Sequence, residues 1–317
     1  MPVRVVESKD NARLKELRKA LAASGVGARG LVGIEGPHLV EEALRAGLRV
    51  KTIFTAESAE RLLDALPVPP GTEILRLPKK LLDSALATET PQPVAALVEA
   101  PDWTWAHLLC ARRSGAELIV VLAGIQDPGN LGTILRSAEA FGASGVVSLP
   151  GTVSAWNPKA VRASAGSVFR VPLIAASERE CFEELHKAGV KILATTARGA
   201  QPAGRVDLTG PAAFAIGNEG NGVADDLAAK ADAQITIPCP GPVESLNAAV
   251  AASVLLYEAA RQRESRMSES IGETQHFSNS LPHAVASHPF SAAASRDGKG
   301  TRHAKSGSAT ARRGARR

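Results

Sequence analysis

The sequence predicts an α/β protein with a small N-terminal domain and a larger domain built on a parallel sheet. From Glu117 to about Arg263, short apolar runs alternate with helical patterns, which is typical of parallel strands covered by helices on both faces. The chain has 317 residues, 44% of them hydrophobic, and is long enough to bury two such cores. The apolar periodicity then ends, so we expect a disordered tail over 264–317.

The first 100 residues predict the small α/β domain, whose first 29 residues form a basic helical lead-in. A helix predicted over Asn11–Ala23 places three leucines on one face, and six Lys/Arg occur before residue 20. Its charged face is either solvated or in contact with a polyanion. The strands that follow are predicted at 31–34, 50–55 and 73–77, and the helices at 37–46, 59–66 and 78–87.

Residues 101–116 predict a linker with one helical turn, in which Trp103 and Trp105 are more typical of buried anchors than of base-stacking platforms. The larger domain is predicted over 117–263. Its predicted strands are 118–122, 145–149, 171–174, 191–195, 212–216 and 234–237, and its predicted helices are 130–141, 157–164, 177–188 and 245–263. Polar motifs follow several of these strands and are expected to gather at their ends.

The charge distribution indicates a polyanionic partner. The predicted tail carries nine Lys/Arg and four Asp/Glu and so accounts for the net charge of +5, whereas residues 1–263 carry 28 of each. An aromatic content of 3% argues against a broad base-stacking platform. The three cysteines are scattered without a CxxC pair, so neither a disulfide framework nor a metal site is indicated. Without a span-length apolar run or a signal-peptide core, we expect a cytoplasmic protein.

The first polar motif runs from Asn130 to Arg136 and follows a strand and a Pro/Gly turn. Asn130 is placed to cap the helix, and the helix start can receive anionic groups. Arg136 comes under two turns later. Taken alone, this arginine is typical of a solvated helix residue paired with Glu139, three positions on.

Two further motifs follow later strands. Residues 217–222 contain three glycines, which suits a loop that holds a ligand by its main chain and equally suits a plain turn. Residues 237–247 form a proline-rich loop that opens a helix, and by itself Ser245 is placed as the N-cap of that helix.

Together and in this order, the motifs resemble those of the SpoU (TrmH-type) RNA 2′-O-ribose methyltransferases of the SPOUT superfamily, over roughly residues 30–263. Residues 34–44 resemble the opening of that family's substrate-binding domain, although Glu35 and His38 are equally placed as helix caps. Residues 88–98 fit the strand before the linker. The resemblance implies a ribosomal-protein-like α/β substrate-binding domain followed by an α/β trefoil-knot methyltransferase domain, a knot otherwise nearly absent from proteins.

The resemblance also implies methyl transfer from S-adenosylmethionine to an RNA ribose 2′-hydroxyl without a metal. Arg136 matches the family's catalytic arginine. Because a guanidinium stays protonated, we expect it to lie against an RNA phosphate and to position and polarise the hydroxyl. The other implied catalytic residues are Asn130, Glu219, Ser245 and Asn247. The implied cofactor-binding residues are Thr195, Gly217, Asn218, Ile237, Pro238 and Leu246, with Ile237 and Leu246 as apolar walls for adenine.

A further stretch over 159–172 resembles a family segment near the site and adds Arg162, Ser164 and Gly166 as secondary candidates. The expected partners are RNA and a second copy of the chain, since family members form homodimers through the knotted domain. The two-domain layout favours ribosomal over transfer RNA. Two alternatives stay open: a SPOUT enzyme that methylates a base, and a catalytically silent RNA-binding or ribosome-assembly factor.

Overall fold

Two β-sheets organise the chain: a five-stranded mixed sheet and, after it, a seven-stranded parallel sheet. The computed structural model describes residues 3–278 apart from 23–24, 28–29, 60, 87, 111–114, 198–199, 219 and 221. Both sheets belong to one compact unit, residues 1–272. None of the described helices is long and apolar enough to cross a membrane.

The N-terminal sheet has the strand order β1-β4-β3-β5-β2, with β5 antiparallel to its two neighbours and the other pairs parallel. The strands are β1 Val3–Val5, β2 Leu31–Glu35, β3 Val50–Ala56, β4 Glu73–Leu77 and β5 Val94–Glu99. The helices are α1 Ala12–Ala22, α2 Pro37–Arg45, α3 Arg61–Asp64 and α4 Lys79–Asp83. The three strands predicted by periodicity are confirmed, whereas α3 and α4 are shorter than predicted.

The predicted leucine face of α1 is buried, and its charged face is occupied by ion pairs. The side chain of Arg13 binds Glu16 at 2.9 Å and reaches Glu73 on β4 at 3.1 Å. The helix lies directly on β2, since a Cβ added at Gly33 would stand 2.9 Å from the side chain of Leu21. These contacts favour the reading of α1 as a helix that packs with its charges in solvent.

Glu35 does not cap α2, and the structure corrects that alternative. Its carboxylate is buried and accepts hydrogen bonds from the hydroxyl of Thr88 at 2.6 Å and the backbone N–H of Gln92 at 3.0 Å. The helix α2 starts after Gly36 without a side-chain cap. Glu35 therefore fastens the segment that leads into β5, and His38 is exposed.

The C-terminal sheet has the order β10-β12-β9-β11-β6-β7-β8 with every pair parallel, which confirms the predicted architecture. Its strands are β6 Leu118–Ala123, β7 Gly145–Ser148, β8 Leu173–Ala175, β9 Lys191–Thr195, β10 Gln201–Pro202, β11 Ala212–Gly217 and β12 Ala233–Thr236. The helices are α5 Trp105–Leu108, α6 Pro128–Ala140, α7 Pro158–Ala163, α8 Glu178–Lys187, α9 Asp225–Lys230 and α10 Ala248–Ser278. Helix α10 continues past the residue at which we expected a disordered tail to begin, and residues 279–317 lie outside the described residues.

Side chains of β6 alternate between two cores, as a sheet covered on both faces requires. Leu118, Val120 and Leu122 face a core shared with α6 and α10 that is continuous with the core of the N-terminal sheet. Ile119 and Val121 face a second core, shared with α8 and α9. The doubly covered central strand is what the unbroken apolar run at 118–122 predicts.

Trp105 lies half-buried at the edge of this second core, and its indole N–H donates to Glu180 at 3.0 Å. Trp103 is also half-buried and packs edge-on against the ring of His107 at 5.3 Å. Both tryptophans therefore anchor the segment between the sheets.

Arg263 joins α10 to the amino-terminal edge of the C-terminal sheet, where β6 and β11 begin. Its guanidinium is buried and donates to four backbone carbonyls, those of Ala116, Glu117, Leu208 and Gly210, at 2.7–3.1 Å. Burial lowers the pKa of this arginine from its ordinary value, with Glu117 acting in the opposite direction. Since a buried carbonyl left without its donor costs about 1–3 kcal/mol, Arg263 fixes where α10 packs.

Candidate active site

Four adjacent strands, β12, β9, β11 and β6, run parallel and end at the same edge of the sheet. The three motifs follow three of them. In the strand ladders, Gly217 of β11 stands opposite Ala123 of β6, and Thr195 of β9 stands opposite Ile235 of β12. The carboxyl edge of an open α/β sheet is where such folds place their ligands.

The first helix at this edge, α6, is capped by Asp127 and not by Asn130. The Asp127 carboxylate accepts from the backbone N–H of Gly129 at 2.9 Å and from Lys159 at 3.2 Å. The Gly129 N–H and then Lys159 lower the pKa of this carboxyl. The sequence prediction for Asn130 was wrong because Pro128 suits the first helical position and leaves the residue before it extended, as a cap must be.

Asn130 instead forms a side-chain bond across the site. It is 9% exposed, and its Oδ1 accepts from the Nδ2 of Asn247 at 3.0 Å. The Oδ1 of Asn247 in turn accepts from the backbone N–H groups of Ala249 and Val250, at 2.9 and 3.3 Å. Asn247 is therefore the N-cap of α10, a role that the sequence reading without the resemblance gave to Ser245.

Helices α6 and α10 lie side by side and run in the same direction from this asparagine pair. The hydroxyls of Ser137 and Ser253 are 2.7 Å apart, and the rings of Phe141 and Tyr257 are packed edge to face with centroids 5.9 Å apart. The three contacts advance together along both helices. The motifs at 130–136 and 237–247 are thus joined at the helix starts.

Arg136 lies on α6, six residues after Asn130, with its side chain in solvent. It forms no ion pair with any residue that the structure describes. The partner expected from helical spacing, Glu139, binds Arg170 instead through both carboxylate oxygens. The guanidinium of Arg136 is therefore available to an external anion.

The glycine loop after β11 is closed on itself. Asn218 and Gly222 exchange two backbone hydrogen bonds at 3.1 and 2.9 Å, and the side chain of Asn218 accepts from the N–H of Gly220 at 2.8 Å. A Cβ at Gly217 would stand 1.8 Å from the carbonyl carbon of Gly222. Only glycine fits at 217. Glu219, a predicted catalytic residue, lies outside the described residues.

The other predicted cofactor residues lie around the same edge. The hydroxyl of Thr195 donates to the carbonyl of Ala215 at 2.9 Å, which joins the ends of β9 and β11. Ile237 and Leu246 are half-buried, and Ile237 packs against the first core. Pro238 is exposed, as is Ser245.

These residues fit S-adenosylmethionine. An adenine requires apolar walls and main-chain groups. Half-buried Ile237 and Leu246 are suited to be the walls, and the side-chain-free backbone at Gly217 is suited to offer the main-chain groups. The polar groups that the described residues offer at this edge are neutral amides, hydroxyls and backbone groups.

Two of the three secondary candidates are structural. Ser164 is fully buried and donates to the carbonyl of Val161 at 2.8 Å, at the end of α7. Gly166 is buried with a φ of 92°, against Glu42 of the N-terminal domain. Arg162 is exposed on α7. Sequence reasoning did not single out Arg170, which lies in the same stretch and makes the contacts with Glu139.

The fold and this edge define a class: an α/β protein with a candidate ligand site at the carboxyl ends of parallel strands and an exposed arginine on the adjacent helix. Comparison with known proteins specifies it. The sequence model of the SpoU rRNA Methylase family matches residues 117–257, and that for RNA 2′-O ribose methyltransferase substrate binding matches residues 34–104.

Relatives and solved structures similar to this chain are methyltransferases of the same kind. The chain is 34% identical over 252 residues to the 23S rRNA (guanosine(2553)-2′-O)-methyltransferase RlmP of Bacillus subtilis, over 80% of this chain and 97% of the relative. It is similar to an AdoMet-bound rRNA methyltransferase from Sinorhizobium meliloti, with a TM-score of 0.72 and 31% identity over 82% of this chain and 98% of that one. The SpoU methyltransferase AviRb from Streptomyces viridochromogenes in complex with AdoMet gives a TM-score of 0.68 and 30% identity, over 80% and 99%.

The chain therefore belongs to the SpoU rRNA methylase family. It is an RNA 2′-O-ribose methyltransferase, and its cofactor is S-adenosylmethionine. The family resemblance drawn from the three motifs is confirmed. The assignment also decides against the two alternatives, a base methyltransferase and a silent RNA-binding factor.

The close packing at Gly217 generates a prediction about cofactor binding. Gly217→Ala forces the backbones of residues 217 and 222 apart, because the added carbon has no room against Gly222. We expect calorimetry to show at least a tenfold loss of S-adenosylmethionine affinity, equivalent to about 1.4 kcal/mol.

The matched control is Gly220→Ala in the same loop, where the nearest atom to an added carbon, Oδ1 of Asn218, is 3.4 Å away. This variant should bind the cofactor within about threefold of the parent, or roughly 0.7 kcal/mol. Equal affinities for the Gly217 and Gly220 variants would show that the loop does not hold the cofactor.

Proposed function

We propose that the chain methylates the 2′-hydroxyl of a ribose in ribosomal RNA and that Arg136 positions and polarises that hydroxyl. The observation that carries the proposal is the exposed guanidinium of Arg136, which has no ion pair to any described residue and lies on the same helix as the part-buried Asn130–Asn247 bond. Ribosomal RNA is supported by the relatives, since RlmP is named for 23S rRNA and the Sinorhizobium meliloti enzyme for rRNA.

The chemistry places two demands on the site. A ribose hydroxyl is a weak nucleophile, and it must be aligned with the carbon–sulfur bond that breaks as the new oxygen–carbon bond forms. The cofactor supplies a methyl group already activated on a sulfonium. The positively charged guanidinium of Arg136 binds an RNA phosphate and holds the ribose in line. It also stabilises the negative charge that develops on the 2′-oxygen while the proton passes to solvent.

The remaining site residues have supporting roles in this proposal. Asn130 and Asn247 hold the starts of α6 and α10 together, and Ser245 orients the ribose from the loop before α10. Glu219 organises the glycine loop. The cofactor is held by a set of strand-end residues: Thr195, Gly217, Asn218, Ile237, Pro238 and Leu246.

We further propose a division of labour along the chain. Residues 1–100 bind the RNA substrate, 101–116 link the two domains, 117–263 catalyse, and the basic segment 264–317 adds charge attraction for RNA. A cytoplasmic location is consistent with an rRNA substrate.

A homodimer is supported by an apolar stripe on α10. Val250, Val254 and Tyr257 are 49%, 39% and 55% exposed, and their spacing of four and three residues puts them on one helix face. Val243, in the loop before α10, is 58% exposed. A contiguous exposed apolar face of this kind is typical of a subunit interface.

The role of Arg136 predicts a specific kinetic loss. Arg136→Ala should lower kcat for RNA methylation by at least about 100-fold, because it removes a charge that acts on the developing oxyanion. The affinity for S-adenosylmethionine should stay within about twofold of the parent, since the arginine does not touch the cofactor in this account. Filter-bound tritium transfer and calorimetry measure the two quantities.

Arg179→Ala is the matched control, because Arg179 is 86% exposed on α8, a helix that packs on the opposite core. It should leave kcat within about twofold of the parent. Undiminished turnover in Arg136→Ala would exclude the role assigned to this side chain.

The dimer predicts a change of mass in solution. The parent chain of 32.9 kDa should sediment as a dimer at micromolar concentration, and Val254→Asp should shift it to monomer by placing a carboxylate in the apolar stripe. Val26→Asp, at a residue 47% exposed in the N-terminal domain, should leave the dimer intact. A parent protein that sediments as a monomer would refute the dimer.

A further inference from the structure

Arg170 connects the N-terminal domain to the catalytic helix α6. Its Nη1 donates to Glu42 of α2 at 2.6 Å, its Nη2 donates to one oxygen of Glu139 on α6 at 3.0 Å, and its Nε binds the other oxygen. Two-point binding of a carboxylate by one guanidinium is the strongest form of such a pair. The contacts with Glu139 and Glu42 raise the pKa of Arg170 above its ordinary value.

The backbone before Arg170 is shaped to receive Glu42. A Cβ at Gly166 would stand 2.7 Å from the Cβ of Glu42, and Gly166 has a φ of 92°. Its neighbour Ala165 has a φ of 49°, which side-chain-bearing residues rarely adopt. Glu42 is only 14% exposed at its side chain, whereas Arg170 and Glu139 are about one-third exposed. The turn thus admits Glu42 closely and leaves Arg170 facing both carboxylates.

The same contact decides what Glu139 can bind. Arg136 and Glu139 are three residues apart on α6, a spacing at which arginine and glutamate pair on a helix surface. In the structure both oxygens of Glu139 bind Arg170, and Arg136 has no ion pair among the described residues. The proposed catalytic guanidinium is free because a competing one occupies its helical neighbour.

We propose that Arg170 is a positioning residue that keeps Arg136 available for RNA by holding Glu139 and, through Glu42, ties the substrate-binding domain to the same helix. The inference rests on the proposed role of Arg136. The proposed role of Arg170 has two separate effects. Holding Glu139 acts on kcat, because a released carboxylate would pair with Arg136 and repel the RNA phosphate. Holding Glu42 acts on KM for RNA, because the two domains are positioned together.

The test uses the full-length protein with Arg170→Gln, Glu139→Gln and the double variant. Arg170→Gln should lower kcat at least about fivefold, since an unneutralised carboxylate then lies one helical turn from Arg136. Adding Glu139→Gln should restore kcat to within about twofold of the parent, because no carboxylate remains to compete. KM for RNA should stay raised in the double variant, because the link to Glu42 is still absent.

Rescue distinguishes this role from a purely structural one. If Arg170 only stabilises the fold, the double variant loses one more contact and its kcat will be no higher than that of Arg170→Gln, which overturns the proposal. An unchanged kcat in Arg170→Gln overturns it as well. The failure of the wider function is separate, since that would appear as full activity in Arg136→Ala.

Discussion

The hydrogen bond between Asn130 and Asn247 is the constraint on which the site depends. It joins two helices that begin 120 positions apart in the chain. Asn130 is only 9% exposed, so its hydrogen bond to Asn247 is largely shielded from competition by water at the Asn130 end. Because Asn247 also caps α10, the bond sets the start of that helix together with the path of the loop before it.

From this bond the other features follow in order. Helix α6 carries Arg136 along the outside of the sheet, and the loop before α10 presents Ser245 and Leu246 at the edge where β11 ends in its glycine loop. Arg263 fixes the position of α10 further along. A transferase requires that the cofactor, the acceptor and the charge that activates the acceptor meet within a few ångströms. In the proposed site, three strand ends and two helix starts provide that meeting point.

The sequence predicted the parallel sheet and the edge at which the motifs lie, because apolar runs and glycine- and proline-rich turns are local signals. It placed the N-caps of α6 and α10 wrongly. Asp127, followed by Pro128, caps α6 in place of Asn130, and Asn247 caps α10 in place of Ser245. Helix α9 and the two-residue strand β10 carry no apolar period and were missed. The trefoil knot implied by the family stays a prediction.

The pairing of Arg136 with Glu139 shows most clearly why the site was only partly predictable. Helical spacing favours that pair, and the structure gives Glu139 to Arg170, which lies 31 residues away in sequence. A tertiary partner with two-point geometry outcompetes a local one worth only about 0.2–0.5 kcal/mol. No local sequence pattern around Arg136 indicates this outcome. The burial of Glu42 against the turn at Gly166 has no local sequence signal either.

A double-mutant cycle on the asparagine pair tests the central claim most directly. The measured quantity is kcat/KM for methyl transfer to RNA by Asn130→Ala, Asn247→Ala and the double variant. If the bond between the two side chains organises the site, the double variant will be little worse than the more damaging single one, with a coupling energy of about 1–2 kcal/mol. A free-energy loss in the double variant that equals the sum of the two single losses, within about 0.3 kcal/mol, would contradict the account.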